Sequence, residues 1–457
     1  MVSHYRLSTN RLLQYLFRGR RVRIAIIGSG ISGLVTSRLL HREHEITVFD
    51  ANSYVGGHCN TVPVAVDGKQ HKIDTGFIVY NDRTYPHFSK ILKDLSIATS
   101  PTSMSFSVRC DRTGLEYNGS SLNGMFTQRR NLFRPSFLRM LRDILRFNRE
   151  GAVDAKRVSA EQTVGDYLFQ KRYSREFADQ YLLPMGAAIW SCPCSDFADF
   201  PIRFILDFYV HHGLLSLRDR PVWRIVDGGS QTYVRVLAEP FQDRIRLSCP
   251  VREVVRRENE VVVRHDRGEG IFDEVIFACH SDQALRILND ADRLETELLS
   301  AFPYSNNTAV LHTDETILPR QQRAWASWNY HITDQEQMRP ALTYNMNILQ
   351  QINSSKTFCV TLNEDDSIDP GEVLARFNYS HPVFTSRRAE VQQRHNEIIR
   401  RRNTSFCGAY WRNGFHEDGV VSALAVCARF GIPGWTPDTN EVRSKLTSLH
   451  STVSGQV

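Results

Sequence analysis

Three glycines followed by an acid form the pattern in this sequence with the clearest chemistry. Gly28, Gly30 and Gly33 give the spacing GxGxxG, and Asp50 follows about 20 residues further on. The first glycine allows a tight turn, the second lets the backbone approach a pyrophosphate, and the third lets the next helix pack on the preceding strand. An acid at this distance accepts a hydrogen bond from a ribose hydroxyl. The pattern indicates a dinucleotide site, with a glycine-rich structural turn as the alternative.

The elements predicted around these glycines are those that such a site requires. An apolar run from Ile24 to Ile27 predicts a strand that is buried on both faces. Leu34 and Leu39 suit the packed side of a following helix, and Ile46 to Phe49 predicts a second strand that leads into the acid. The N-terminus of that helix then faces the phosphate charge. The order of strand, turn, helix and strand favours the dinucleotide interpretation over the structural turn.

Length, composition and cysteine usage bound the remaining classes. The 457 residues are 41% hydrophobic and 23% charged, which predicts a globular chain of two or three domains. No apolar run approaches the ~20 residues of a membrane span, and a net charge of +6 is too small to indicate nucleic acid. Cys192 and Cys194 form the only close pair among nine cysteines, so no metal site is predicted. Dispersed thiols without a secretory signal predict a reducing, cytoplasmic location.

The first 21 residues are basic. They contain five arginines and no acid, and Leu12, Leu13, Leu16 and Phe17 could form one face of a short helix. Such a segment is typical of a mitochondrial transit peptide or of a membrane-surface anchor. A disordered basic start is the alternative, and it is as well supported as the other two together.

A second basic amphipathic helix is predicted from Pro135 to Arg149. Its apolar side is predicted to be Phe137, Leu138, Leu141, Ile144 and Leu145, with Arg139, Arg142, Arg146 and Arg149 on the other side. This helix could rest on anionic lipid headgroups as a peripheral membrane contact. A solvated arginine face is the alternative.

The last informative stretch runs from Thr404 to Ala428. Its first residues predict a strand that ends at Gly408, and Asp418 and Gly419 are predicted to open a helix with Val421, Leu424 and Ala425 on its apolar side. This is a second glycine-linked helix N-terminus, which favours a negative or electron-rich group.

These motifs, taken in order, resemble those of the flavin amine oxidase and phytoene desaturase superfamily over nearly all of residues 22–430. The shared features are GSGISG, Gly56-Gly57, Asp74-Thr75-Gly76, Pro250-Val251, the strand ending at Ala278, and Gly408 with Asp418-Gly419. The phrases LPMGAAIWS, RAWASWNYH and FCGAYWRNGFHEDG are more specifically similar to FAD-binding oxidoreductases that accompany cyclopropane-fatty-acid synthases. They also resemble the oxidase-like N-terminal domain of plant cyclopropane synthases.

The resemblance implies an α/β fold with a Rossmann-like FAD/NAD(P)-binding domain and a discontinuous α+β substrate domain. We predict a basic extension at 1–21, an FAD-binding domain formed by 22–82, 223–282 and 405–430, a substrate domain formed by 83–222 and 283–404, and a C-terminal tail at 431–457.

The resemblance also implies FAD as the cofactor and assigns its contacts. The pyrophosphate contacts are predicted to be Gly28, Ser29, Gly30, Ile31, Ser32, Gly33 and Gly408. The adenosine contacts are predicted to be Asp50 with its neighbour Ala51, and Val251. The ribityl and flavin contacts are predicted to be Gly56, Gly57, His58, Gly76, Phe77 and Ile78, with Asp418, Gly419 and Val420 at the flavin O2 side. There the helix N-terminus would stabilise the reduced, anionic flavin.

Two departures from the amine oxidase pattern disfavour amine oxidation. Amine oxidases carry an arginine beside the paired glycines, whereas the neighbours here are Asn52, Tyr54 and His58. They also carry a flavin-facing lysine at the start of a strand in the substrate domain. The comparable stretch here, Ser305 to His312, contains no lysine.

Three residues are predicted to lie near both substrate and flavin. His416 falls where amine oxidases place one wall of an aromatic cage, and Tyr410 and Trp411 are close to it in sequence. The alternative for His416 is a histidine that bonds local loop carbonyls.

The resulting prediction is a FAD-dependent oxidoreductase that removes hydride to flavin N5. The favoured substrate is a lipid acyl chain or a similar apolar molecule, in a desaturase or oxidase reaction. The alternatives are an amine or polyamine oxidase and a non-catalytic flavin-binding partner of a lipid-modifying methyltransferase. The predicted partners are a small-molecule or lipid substrate, a peripheral membrane and a cyclopropane-fatty-acid-synthase-like protein, and no nucleic acid.

Overall fold

The computed structural model of the chain describes residues 21–190, 192–216, 220–333 and 341–436. The helix predicted within the N-terminal extension and most of the predicted C-terminal tail lie outside these residues. Within the described ranges, no helix is both long enough and apolar enough to cross a bilayer.

In the described residues, twenty strands form five sheets. In chain order the strands are β1 (Arg23–Ile27), β2 (Glu45–Phe49), β3 (Thr61–Val66), β4 (Lys69–Asp74), β5 (Tyr80–Asn81), β6 (Thr99–Thr102), β7 (Phe106–Cys110), β8 (Leu115–Asn118), β9 (Trp223–Val226), β10 (Ile245–Arg246), β11 (Val251–Arg256), β12 (Val261–His265), β13 (Gly268–Phe272), β14 (Glu274–Phe277), β15 (Tyr304–His312), β16 (Trp328–Ile332), β17 (Ala341–Asn345), β18 (Cys359–Leu362), β19 (Val373–Pro382) and β20 (Thr404–Phe406).

Fifteen α-helices lie between these strands in the described residues. They are α1 (Ile31–Leu40), α2 (Pro86–Asp94), α3 (Leu122–Met125), α4 (Pro135–Asp154), α5 (Val164–Gln170), α6 (Arg175–Phe177), α7 (Leu183–Trp190), α8 (Cys194–Ala198), α9 (Ile202–His211), α10 (Gln231–Ala238), α11 (Ser281–Ile287), α12 (Arg293–Leu299), α13 (Met346–Leu349), α14 (Ser386–Gln393) and α15 (His416–Ala428).

A parallel five-stranded sheet in the order β10-β2-β1-β14-β20 carries the predicted dinucleotide motif. One face of β1, with Ile24 and Ile26, packs in the same apolar cluster as α1 and α15. The other face, with Ala25 and Ile27, packs against the antiparallel sheet β11-β12-β13. Both faces are buried, which explains why β1 is apolar throughout rather than alternating. The predicted Rossmann-like α/β fold is confirmed.

A seven-stranded mixed sheet in the order β19-β15-β18-β17-β16-β7-β8 forms the second large layer. Five of its strands come from residues 304–382, whereas β7 and β8 come from 106–118, and β7 runs parallel to β16. The stretch 83–222 is therefore not wholly helical, because it supplies two strands to the sheet that the later stretch builds. Its helices α4 to α9 pack with β7 and β8 around one apolar cluster.

Two predicted helices differ from the sequence-based expectation in their details. Helix α4 buries Phe137, Met140, Ile144 and Phe147, while Leu138 and Leu145, predicted on the packed side, are exposed. Helix α15 begins at His416, two residues before the predicted start. Its buried residues include Val420, Ala423, Val426 and Cys427 in place of the predicted set Val421, Leu424 and Ala425. The spacing alone predicted the helices but not which stripe faced a partner.

A buried ion pair joins β11, in the small antiparallel sheet, to helix α12. The side chains of Arg256 on β11 and Glu295 on α12 are 2% and 0% exposed. Arg256 donates from Nη1 and Nη2 to the two carboxylate oxygens of Glu295, at 2.5 and 2.8 Å, and from Nε to Asp290 at 2.9 Å. Loss of Glu295 would leave the buried Arg256 guanidinium with the less buried Asp290 as its remaining carboxylate partner, and removing one partner of a buried ion pair is strongly destabilising.

We expect Glu295→Ala to lower the free energy of unfolding by about 3–5 kcal/mol. Urea denaturation followed by circular dichroism measures this change. Arg257→Ala is the matched control, because Arg257 pairs with Glu260 at the surface, where its side chain is 55% exposed, and such pairs contribute at most about 1 kcal/mol. Equal losses in the two variants would contradict a structural role for the buried pair.

Candidate functional site

A cavity of about 1500 Å³ runs from the glycine turn after β1 to the helices of the second layer. One end is lined by the β1–α1 turn, the residues after β2 and the end of β14. The middle is lined by β19 and the start of α15, and the far end by α3, α4, α7 and α9. The cavity thus connects the predicted dinucleotide motif to the predicted substrate region.

The three glycines of the GxGxxG turn differ in what surrounds them. Gly28 has φ +108°, which favours glycine, and it adjoins the backbone of Ala278 at the end of β14. A Cβ on Gly33 would lie 2.0 Å from the carbonyl oxygen of Gly28, so only glycine lets α1 pack this closely on the turn. A Cβ on Gly30, in contrast, would have no atom within 4 Å, although Gly30 lines the cavity. The open space beside Gly30 is where the motif predicts a pyrophosphate.

Asp50 is fixed at the mouth of this turn by its own hydrogen bonds. Its Oδ2 accepts from the backbone N of Ser29 at 2.7 Å and from Ser29 Oγ, and its Oδ1 accepts from the backbone N of Asn52 at 2.8 Å. Asp50 lines the cavity, whereas Ser29 does not. Ser29 was predicted to touch the pyrophosphate, and in the structure its side chain holds the carboxylate of Asp50 in position.

The N-termini of α1 and α15 are brought together by Gly419. A Cβ on Gly419 would lie 2.7 Å from Ile31 Cγ2 and 2.9 Å from Ser32 Oγ, and Ser32 Oγ donates to the carbonyl of Gly419 at 3.0 Å. Ile31, Ser32 and His416 line the cavity at this junction. Two helix N-termini therefore face one cavity, an arrangement that favours anionic groups.

Asp418, Gly419 and Val420, predicted at the flavin O2 side, lie behind the cavity wall and not among the residues that line it. Asp418 accepts a hydrogen bond from the backbone N of Phe415 and caps its own helix, and burial raises its pKa to about 6. Val420 is fully buried in the apolar cluster shared with α1. The three residues support the position of α15 rather than forming the wall of the site.

Three histidines from separate elements meet in the middle of the cavity. The ring of His58, which follows the pair Gly56-Gly57, lies 6.1 Å from the ring of His280 and 5.5 Å from that of His381 on β19. Burial, with a smaller contribution from a neighbouring histidine, lowers the pKa of His58 and His280 to about 4 and that of His381 to about 3. All three rings are therefore neutral at physiological pH, and His58 Nε2 is buried without a hydrogen-bond partner.

His416 lies at the junction between the cavity and the α15 N-terminus. Its ring stacks on Phe77 at a centroid distance of 3.8 Å, and its Nε2 lies 2.6 Å from the hydroxyl of Tyr233, which in turn contacts Cys59 Sγ at 2.7 Å. Burial, followed by the nearby His58, lowers the pKa of His416 to about 3, so the ring is neutral. The alternative considered for His416, a bond to local loop carbonyls, is not observed, because its partner is a side chain from α10.

Tyr410 and Trp411 lie in the loop between β20 and α15, and the structure separates them. Tyr410 lines the cavity, but Trp411 does not. The Trp411 ring stacks on His395 at 4.2 Å and meets Phe302 at 5.3 Å, and its side chain is buried in the cluster behind the parallel sheet. Trp411 therefore lies behind the cavity wall, one residue beyond the lining residue Tyr410.

The far half of the cavity is mostly apolar and aromatic, with Asn148, His212 and Arg220 among its polar side chains. Its lining includes Phe106, Met125, Phe126, Leu141, Ile144, Tyr181, Met185, Ile189, Trp190, Phe208, Trp328 and Tyr344. Among the described residues, Asp50 is the only carboxylate that lines any part of the cavity, and it lies at the dinucleotide end. Among the residues that the structure describes, the substrate half therefore offers no carboxylate as a partner for a positively charged group.

Most of the predicted cofactor contacts line the cavity. These residues are Gly28, Gly30, Ile31, Ser32, Asp50, Ala51, Gly56, Gly57, His58, Gly76, Phe77, Ile78, Val251 and Gly408. The sequence analysis missed Tyr233, His280, Tyr304, Tyr379 and His381, which line the cavity or hold residues that do. His280 could have been predicted, because it directly follows a predicted buried strand. The other four lie on helices and strands whose position beside the cavity is known only from the fold.

The cavity fits FAD on two observations of its own residues. The space beside Gly30 would be filled by any side chain, and two helix N-termini converge on it. The unpartnered Nε2 of His58 is the kind of buried polar atom that a cofactor oxygen would satisfy. In the described ranges, no group of three or more histidine, cysteine or acidic side chains is arranged to bind a metal ion.

Comparisons with known proteins agree with this geometry. A family model described as flavin containing amine oxidoreductase matches residues 31–343. A comparison with curated protein sequences finds no match. Similar solved structures include a putrescine oxidase bound to putrescine (14% identity, TM-score 0.62, covering 90% of this chain and 99% of that one). They also include a fatty acid isomerase from P. acnes (14%, 0.62, 90% and 98%) and the cyclohexylamine oxidase of Brevibacterium oxydans IH-35A (14%, 0.62, 90% and 99%). Because the sequence identity is only 14%, these similarities show a shared fold and nothing about the substrate.

Proposed function

Because the chain belongs to the flavin-containing amine oxidoreductase family and is a FAD-dependent oxidoreductase, we propose that its substrate is an apolar acyl chain rather than an amine. The observation that carries this proposal is the lining of the substrate half, which is mostly apolar and aromatic and has no carboxylate among the described residues. An ammonium group placed there would lose its hydration without gaining an ionic partner, which is costly. An acyl chain gains free energy from the same surroundings, at about 25 cal/mol per Å² of apolar surface removed from water.

The proposed reaction forms a carbon–carbon double bond in the acyl chain. One carbon loses hydrogen as hydride with its electron pair, and the neighbouring carbon loses a proton to a neutral imidazole in the middle of the cavity, for which His416 is the candidate. Bound FAD supplies the hydride acceptor, its N5 atom. The backbone around Gly30, the N-termini of α1 and α15, and Asp50 would hold the cofactor, and Phe77 with His416 would form the wall between cofactor and substrate.

The residues of the substrate half act mainly by position. Apolar side chains on α4 and α7 exclude water and align the chain along the cavity, which is the contribution that positioned hydride transfer needs most. His416 is neutral, and its Nε2 is hydrogen-bonded to the Tyr233 hydroxyl, which in turn contacts Cys59. When Nε2 donates in this bond, the other ring nitrogen, Nδ1, is free to accept a proton. No carboxylate base is required by this arrangement.

One structural relative is named as a fatty acid isomerase, so this fold is compatible with a fatty acid substrate. Two others are named as oxidases of putrescine and cyclohexylamine. We therefore base the choice between these classes on the substrate half of the present cavity, where the lack of acids among the described residues favours the acyl chain.

An anaerobic visible spectrum of the FAD-loaded protein tests the proposal. We expect acyl phospholipid dispersed in detergent to bleach the flavin absorbance, and putrescine to leave it unchanged. Bleaching by putrescine alone would overturn the proposed substrate class. A flavin spectrum that neither compound changes would instead favour a role that depends on a partner protein, such as a lipid-modifying methyltransferase.

A further inference from the structure

We propose that the chain docks on an anionic lipid bilayer through a surface formed by residues 122–149. This surface, called here the arginine–leucine surface, contains the exposed apolar residues Leu122, Leu132, Phe133, Leu138 and Leu145 and the exposed arginines Arg129, Arg130, Arg139, Arg142 and Arg149. Docking would place the mouth of the cavity against the lipid. The idea that acyl chains enter there rests on the proposed function, whereas the docking itself does not.

The apolar side chains of this surface are more exposed than folding requires. Leu122 is 81% exposed and Phe133 87%, and they lie on short helical segments before α4. Leu138 and Leu145 lie on the outer side of α4, two turns apart, while the core of the same helix is supplied by other residues. Apolar groups gathered in one short segment of surface mark an interaction site more often than apolar groups scattered singly.

The charge of the same segment specifies an anionic partner. Residues 122–149 contain seven arginines and one acid, Asp143. Two acids outside this segment, Glu150 and Glu176, pair with Arg149 and Arg139, so the surface carries a net charge of about +4. The side chains of Arg142 and Arg149 are 72% and 78% exposed. Each arginine close to an anionic membrane raises the affinity by roughly fivefold.

The surface is continuous with the cavity. Along α4, Ile144 is buried and lines the cavity, Leu141 is half-buried and lines it, and Leu145 lines it while remaining exposed. Leu122 on α3 likewise both lines the cavity and is exposed to solvent. Exposed leucines therefore lead into the apolar lining, which makes this rim an entrance for a molecule that moves between lipid and protein.

A bilayer fits this surface better than other occupants. A second copy of the chain in a two-fold dimer would place the seven arginines against the same seven, and like charges repel. A nucleic acid would satisfy the arginines but would leave the exposed leucines and Phe133 in water. A helix that presents leucines and arginines together, and that is not apolar enough to span, is typical of one lying in the interface plane.

Vesicle sedimentation with the full-length, FAD-loaded protein tests the proposal. We expect the protein to sediment with vesicles of phosphatidylcholine and phosphatidylglycerol, and at least tenfold less with phosphatidylcholine alone. Phe133→Ser should weaken binding to the anionic vesicles at least tenfold, and Arg142→Glu with Arg149→Glu should abolish the preference for them. The matched controls are Phe169→Ser, which removes an equally exposed phenylalanine on α5, and Arg257→Glu. Both controls should bind as the unchanged protein does.

Three outcomes would overturn the proposal. The first is absence of binding to anionic vesicles, and the second is an equal effect of Phe133→Ser and Phe169→Ser. The third is a dimer in size-exclusion chromatography that Phe133→Ser dissociates, because the surface would then belong to a second copy. Flavin bleaching by detergent-dispersed acyl phospholipid should be unchanged in Phe133→Ser, since Phe133 does not line the cavity. If detergent-dispersed acyl phospholipid failed to bleach the flavin of the unchanged protein, this result would count against the proposed substrate class and not against membrane docking.

Discussion

Gly30→Val protein is expected to fold normally and to bind FAD at least a hundredfold more weakly. Gly30 has φ −66° and ψ −179°, a conformation open to any residue, and a Cβ there meets no atom within 4 Å. The added side chain would therefore occupy cavity space without disturbing the protein. It would keep the pyrophosphate from the backbone of the turn, and the loss of charge-assisted hydrogen bonds costs about 3 kcal/mol, which corresponds to a hundredfold.

Fluorescence titration of the cofactor-free protein with FAD measures this affinity, and the melting temperature of the same preparation should change by no more than about 2 °C. Gly33→Ala is the contrasting variant, because its Cβ would lie 2.0 Å from the carbonyl oxygen of Gly28. That variant should fail to fold or should melt far lower. If Gly30→Val kept full FAD affinity, the cofactor could not lie against this turn.

The local part of the site was predictable because its signals are local. The turn at Gly28 to Gly33, its flanking strand and helix, and Asp50 at the end of β2 all lie within 30 residues, and each is defined by sequence neighbours. A buried parallel strand must be apolar on both faces, so β1 could be located to within one residue of its observed start. The closing strand and helix at the other end of the chain followed from a second pattern of the same kind.

The rest of the site depends on contacts between distant parts of the chain. Tyr233 meets His416 across 183 positions, and Ser32 meets Gly419 across 387. No periodicity reports such a pair. Gly419 illustrates the consequence, since a glycine near a helix start suggested a cofactor contact, whereas the fold uses its missing side chain to let α15 approach α1.

Helix α4 shows a second limit of reasoning from pattern. The leucines and arginines of residues 135–149 do follow a helical period, but two stripes on the helix are apolar, and only the position of the sheet strands β7 and β8 decides which one is buried. Leu138 and Leu145 consequently lie outside. For the same reason Phe147 was not predicted to be in the core. The stripe that contains Leu138 and Leu145 remains exposed.

The largest effect expected in the substrate half comes from Ile189→Asp. Ile189 and Met185 lie four residues apart on α7 and line the cavity, while Ala187 on the same helix is buried in the core. A carboxylate at position 189 can be hydrated while the cavity holds water. A bound acyl chain would remove that water, so we expect the rate of flavin bleaching by acyl phospholipid to fall at least a hundredfold, a loss of about 3 kcal/mol.

Stopped-flow absorbance under anaerobic conditions measures the bleaching rate, and FAD content should stay unchanged because Ile189 lies in the far half of the cavity. Ile189→Leu conserves volume and should alter the rate less than about tenfold. The same aspartate supplies the anionic partner that an amine would need. If Ile189→Asp lost no activity with acyl phospholipid, the apolar half of the cavity could not be where the acyl chain binds. If it gained bleaching by putrescine while losing bleaching by lipid, the absence of carboxylates would be the feature that separates this chain's substrate from those of amine oxidases.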